Sequence, residues 1–163
     1  MPRITILSEK EIEAYDYPPK FYSADRKQFL TLPSGLQKQL SSFHTPTNKV
    51  CFHLAFAYFK ACGRFFSPAR FRDRDIEFVC TRMGIFAFSV DKTAYDAQTF
   101  SRHKRLVLDY FKYYQFDGNI HIGFLKSASK KMIQSQFRPQ LIFNFMVEHL
   151  RHKRIELPTY NTL

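Results

Sequence analysis

Thr45-Pro46-Thr47-Asn48-Lys49-Val50-Cys51-Phe52-His53-Leu54-Ala55-Phe56-Ala57-Tyr58-Phe59-Lys60-Ala61-Cys62-Gly63 is the stretch whose reading decides the fold. Val50, Cys51, Leu54, Ala55, Tyr58 and Ala61 recur at helical spacing, and Gly63 follows as a helix-ending residue. Downstream, Ser67-Pro68 has the form of an N-cap with proline in the first turn, and Ile76, Val79, Cys80 and Met83 repeat the pattern before Gly84. Upstream, Ser8 with Glu11 resembles a capping box and predicts a helix over Glu9–Tyr15, stopped by Pro18-Pro19. Further helices are predicted from Ser23 to Leu30 and around Gly35–Ser42.

A second group of helices begins near Asp91. Its central helix carries Leu106, Val107, Tyr110, Phe111 and Tyr114 along one face. After the turn at Asp117-Gly118-Asn119, a helix is predicted over Lys126–Gln136. Pro139 then opens a last one with Leu141, Ile142, Phe145, Met146 and Leu150 in line. No strand-like alternation of useful length occurs, and no internal repeat aligns. The reading is an all-α fold of two small helical units packed in tandem, residues 1–85 and 86–163. The 19 Phe and 9 Tyr supply the core, and with only 5 Gly and no Ser/Gly-rich tract the chain reads as folded throughout.

Charge narrows the function. Lys and Arg number 25 against 14 Asp and Glu, a net +11, and the excess is shared between the halves, 13 against 8 and then 12 against 6. A basic tail on a neutral domain is excluded, and an anionic partner is favoured. The segment Gln98–Arg138 concentrates the excess, with eight basic residues against Asp109 and Asp117. Arg102-His103-Lys104-Arg105 stands at a helix start, where cations oppose the helix dipole, so phosphate binding explains it better than helix stability does. Its bland reading is a solvated helix face. A second set, Arg64, Arg70, Arg72 and Arg74, is diluted by Asp73, Asp75 and Glu77. Arg151-His152-Lys153-Arg154 closes a helix and complements its dipole.

Catalytic readings find little. Glu9, Glu11 and Glu13, and Asp73, Asp75 and Glu77, fall at predicted helix beginnings, where they serve the dipole. His149 and His152 share a helix face without a third ligand nearby, so no metal and no cofactor is expected. Cys51, Cys62 and Cys80 lack the spacing of a zinc site or a disulfide framework and read as reduced, largely buried thiols. Phosphate-loop, dinucleotide and hydrolase motifs are lacking. Most Phe residues recur inside amphipathic helices, as core and not as a stacking surface. The longest apolar run, Leu54–Phe59, is too short to span a bilayer, and Met1–Leu7 is too brief for a signal peptide, so a soluble cytoplasmic protein away from membranes is expected.

Taken together, several stretches resemble the N-terminal region of transposases of the Tn-three family of replicative transposons. They are Met1-Pro2-Arg3-Ile4-Thr5-Ile6-Leu7-Ser8, Thr47–Ala55 with Gly63-Arg64-Phe65, Thr81-Arg82-Met83-Gly84-Ile85, Tyr95 with Thr99-Phe100-Ser101-Arg102-His103, and His149–Pro158. Gln98 departs from the Arg common there, and Lys49-Val50 from Arg-Leu. The resemblance implies recognition of terminal inverted repeats through two helix-turn-helix units like those of centromere protein B. It also implies a chain cut from the front of a larger transposase whose metal-dependent catalytic domain is elsewhere. The implied partners are double-stranded DNA and the remainder of that transposase, with any homodimer forming through the absent domains.

The expected activity is sequence-specific binding of duplex DNA without catalysis. The candidate contacts are Arg102, His103, Lys104, Arg105, Lys126, Lys130, Lys131 and Arg138, with Asn48 and Lys49 opening a helix as in the family. The rival reading is a basic helical protein-interaction domain within a larger DNA-processing protein. A small nuclease is disfavoured for want of a carboxylate or His cluster.

Overall fold

In the computed structural model, residues 6–163 are described; the stretch Met1–Thr5 of the family resemblance lies outside them. Eight α-helices follow one another among the described residues: α1 (Glu9–Asp16), α2 (Ser23–Phe29), α3 (Ser34–Ser41), α4 (Pro46–Cys62), α5 (Asp73–Met83), α6 (Ala97–Phe111), α7 (Gly118–Gln134) and α8 (Pro139–His152). Short 3₁₀ turns cover Pro68–Arg70, Ala87–Ser89, Lys92–Ala94 and Tyr160–Thr162. The fold is all-α, as expected. Among the described residues extended pairing is limited to one bridge, Tyr114 with Ile155.

Helix α4 is the axis. Every residue from Val50 to Phe59 is buried, His53 included, because the helix has no polar face to present to water. Thr45 caps it by accepting the Asn48 N–H (3.1 Å), Pro46 occupies the first turn, and Gly63 ends it at φ 72°. One side of α4, with Val50, Leu54 and Tyr58, packs against Phe21, Leu30, Ile76, Val79 and Tyr95. The other, with Phe52, Phe56 and Phe59, packs against Leu32, Leu36, Val107 and Leu108. Both clusters join residues from either side of positions 85 and 86.

A third cluster sits apart. Helices α7 and α8 enclose Leu125, Phe143, Val147 and Leu150, and Leu7 and Leu157 from the two ends of the chain complete it. Backbone hydrogen bonds tie it to the rest: the Leu157 N–H donates to the carbonyl of Gly63 at the end of α4 (2.9 Å), and Tyr114, just after α6, exchanges bonds with Arg154 and Glu156. The Ser8–Glu11 capping box forms as expected, and Glu11 also accepts from Gln140 on α8 (2.6 Å).

The boundaries show three departures from the sequence reading. The helix expected over Lys126–Gln136 begins at Gly118, capped by Asp117, whose side chain accepts the Asn119 N–H (2.9 Å). Ser67-Pro68 opens only a 3₁₀ turn, and α5 starts at Asp73. Tyr114, expected on the apolar face of α6, lies beyond that helix and is exposed, because Lys112 turns left-handed (φ 59°) and closes it.

Candidate nucleic-acid interface

Asp96 starts α6 by accepting from both the backbone N–H (2.7 Å) and the hydroxyl (2.9 Å) of Thr99. The rings packed between α4 and α6 pair in the same order along both helices, Phe52 with His103 and then Phe56 with Phe111. The helices therefore run in one direction, with their N-terminal turns at the same end. That end carries Asn48 and Lys49 on α4, both half-buried, and Gln98 and Arg102 on α6, both exposed. Two helix N-termini there add partial positive charge to the two cations.

The four residues Arg102-His103-Lys104-Arg105 separate by helical rotation. Arg102 and Arg105 lie on the outer stripe with Gln98, exposed and without an ion-pair partner among the described residues. His103 points inward, which corrects its expected place among the DNA contacts. It is buried, stacks on Phe43 (4.3 Å between centroids), and shares a hydrogen bond through Nδ1 with the Tyr95 hydroxyl (2.6 Å). Burial pushes its pKa down to about 4, so it is uncharged near neutrality. Lys104 is also placed differently from the expectation. Its Nζ lies over the rings of Phe100 (4.9 Å) and Phe65 (5.9 Å), on the side of the half-buried Glu156, and serves packing.

The candidates on α7 divide likewise. Lys126 and Lys130 are one turn apart on one flank; Lys131 lies on the opposite flank, seven residues on from Phe124. All three are exposed, as is Arg138 at the start of α8. The Phe124 flank borders an open apolar groove, walled by Tyr114, Phe124, Leu125, Leu150 and Ile155, with His121, His149 and Lys153 as its basic members. No acidic residue occurs from Gly118 to Val147.

In the second basic set, Arg64 is committed to structure. Arg64 is buried and donates to the Tyr15 carbonyl (2.6 Å) and Asp16 (2.9 Å) between the rings of Tyr15 and Phe66. Buried Asp75 accepts from the Tyr58 hydroxyl (2.7 Å) and Arg26 (3.0 Å), so it belongs to the core and not to a catalytic pair. Among the described residues no three His, Cys, Asp or Glu side chains gather as a metal site would require. Cys51 and Cys80 are buried and Cys62 half-buried; burial raises the pKa of each thiol. Two exposed aromatics are not legible in the periodicity: Phe86 and Phe88 stack on each other outside the core in a 3₁₀ turn. Their odd spacing beside Gly84 is the signal that could have found them.

With that surface described, comparison with known proteins adds one result. A family model described as "Domain of unknown function (DUF4158)" matches residues 6–163. The chain belongs to the DUF4158 family. No curated protein and no solved structure matches it. The DUF4158 match runs through all eight helices and all three clusters, so the α4 axis and the α7–α8 pair both lie inside the family's domain. No described helix is long and apolar enough to cross a membrane.

Proposed function

We propose that this DUF4158 domain binds duplex DNA without cutting it, and that the resemblance to Tn-three transposases makes the terminal inverted repeats of a transposon its target. The observation that carries the reading is the outer stripe of α6, where Arg102 and Arg105 stand exposed and, among the described residues, without an ion-pair partner. Long, exposed guanidinium groups suit phosphates, and Gln98 on the same stripe, with Asn48 in the first turn of α4, supplies an amide group of the kind that reads adenine. Lys126 and Lys130 extend the same chemistry to α7. The pair α7–α8, joined by residues 135–138, supports a helix-turn-helix unit, with α4 and α5 as its counterpart. The chain acts as the recognition part of a transposase and leaves cleavage to other domains.

The test is a salt titration of binding to a duplex selected by the protein from a randomised library, beside a random duplex. Tighter binding to the selected duplex and a steep salt dependence are expected. Equal, salt-insensitive affinity for both sinks the proposal. The apolar groove beside Phe124, 62% exposed, is the observation that favours the second reading, a surface for another protein.

A further inference from the structure

Between Tyr17 and Lys20 after α1, the start of α2 and the segment before α5 lies a cleft of ≈ 950 Å³. Lys20, Arg26, Arg70, Arg72, Arg74 and Lys92 reach its wall, which holds one carboxylate, Asp73. These six cations are not equivalent. Arg26 is neutralised by buried Asp75 (3.0 Å) and Lys92 by Asp73 (3.1 Å). Arg70 and Arg72 are held differently, by neutral acceptors: Arg70 donates to the Asp16 carbonyl (2.8 Å), and Arg72 donates to the Pro18 carbonyl from Nε (3.0 Å) and Nη2 (2.6 Å).

A carbonyl fixes a guanidinium without cancelling its charge, so both groups keep a full positive charge and lose little freedom on binding an anion. Lys20 and Arg74 are exposed and pair with no acid among the described residues. Four uncompensated charges thus converge on one concavity, two of them pre-positioned. Aromatic rings complete it: the Arg70 guanidinium lies 4.4 Å over the Tyr17 ring, and Tyr22 is 75% exposed at the same wall. Rigid guanidinium groups beside exposed aromatic rings are the groups that bind phosphates carrying bases.

We infer that this cleft is a phosphate-binding site, taking the backbone of a nucleic-acid strand or the phosphates of a free nucleotide. It uses none of the α6–α8 residues, so it stands or falls apart from the duplex-DNA reading. The dilution by Asp73, Asp75 and Glu77 hides it in the sequence. In the fold Asp75 is consumed by Arg26 and Tyr58, and Glu77 is not part of the cleft wall.

The test follows the arginine Nε–H resonances of the whole ¹⁵N-labelled chain, at constant ionic strength, with sodium pyrophosphate, ADP or a short oligothymidylate added. Saturable shifts of Arg70 and Arg72 are expected with pyrophosphate while Arg102 and Arg105 stay in place. The double variant Lys20→Ala, Arg74→Ala should weaken pyrophosphate roughly tenfold, as loss of two charge contacts implies, whereas Arg102→Ala, Arg105→Ala should leave it unchanged. Among the described residues the side chains of Lys20 and Arg74 donate no hydrogen bond, and an unaltered circular dichroism melt confirms that their loss spares the fold. Oligothymidylate binding tighter than ADP assigns a nucleic-acid strand, and the reverse order assigns a nucleotide. Shifts that never saturate, or that fall equally on Arg102 and Arg105, would overturn the site as diffuse counter-ion attraction. Failure of duplex binding alone would leave it standing.

Discussion

The hydroxyl of Tyr95 and Nδ1 of His103 share a hydrogen bond of 2.6 Å, and both side chains are buried between α4 and α6. The imidazole is therefore held neutral, with its pKa lowered to about 4 by burial and, secondarily, by Arg102. Buried His53, which donates from Nε2 to the Leu30 carbonyl (2.7 Å), has its pKa lowered too, again first by burial. An unfolded chain protonates these rings near 6.5, whereas the folded chain resists until about 4 at His103. The unfolded state thus binds more protons below 6.5, so stability is complete above that pH and falls as pH drops towards 4. The loss at His103 should be on the order of 2–3 kcal/mol. Urea unfolding at the two ends of this window measures it. His103→Gln keeps a hydrogen-bonding amide for Tyr95 and should flatten the dependence; the same slope in the variant would place the titration elsewhere.

Arg102 and Arg105 carry the DNA proposal, and Lys104 between them does not. Arg102→Ala with Arg105→Ala should leave the fold intact and reduce the slope of log affinity against log salt by about 1.8, from roughly 0.9 per lost phosphate contact. Lys104→Ala should instead cost about 0.5–1 kcal/mol of stability, through the cation lost above Phe100, and barely change the slope. The opposite pattern would mean that Lys104 leaves the Phe100 ring to meet DNA.

On α7 the two flanks should behave differently. Lys126→Ala with Lys130→Ala is expected to weaken duplex binding and flatten its salt dependence, while Lys131→Ala, on the flank of the apolar groove, is expected to do neither. Fluorescence anisotropy on one labelled duplex measures all three proteins. If only Lys131 mattered, DNA would lie across the Phe124 groove and the protein-docking reading of that groove would fail.

Arg64 is a structural cation, buried between α1 and the end of α4. Removing it strands Asp16 and the Tyr15 carbonyl and unties α1 from the end of α4. Arg64→Met should cost about 3 kcal/mol or more, the range for breaking a buried ion pair. DNA affinity per folded molecule should not change. Thermal unfolding with binding corrected for the folded fraction tests both halves of that statement.

Local sequence suffices where a short-range rule acts alone. The Ser8–Glu11 box, the Thr45-Pro46 start of α4, its stop at Gly63, and the Pro139 start of α8 all lie within one helical turn of the residues that decide them, and each is legible in the order of the residues. So is the all-α class; the burial of α4 on every side is not, because its residues read as one apolar face of an amphipathic helix and only the fold packs Phe52, Phe56 and Phe59 as well. Tertiary structure alone decides which cations face water. His103 and Lys104 look like Arg102 and Arg105 in a basic run, but rotation by one and two residues turns them onto Phe43, Phe52 and Phe100. Arg70 and Arg72 look neutralised by acids near in sequence, yet they bond to carbonyls more than fifty residues away. The reason is physical: capping and periodicity act over neighbouring residues, whereas the exposure and partnering of a charge depend on groups that only chain folding brings within hydrogen-bonding reach.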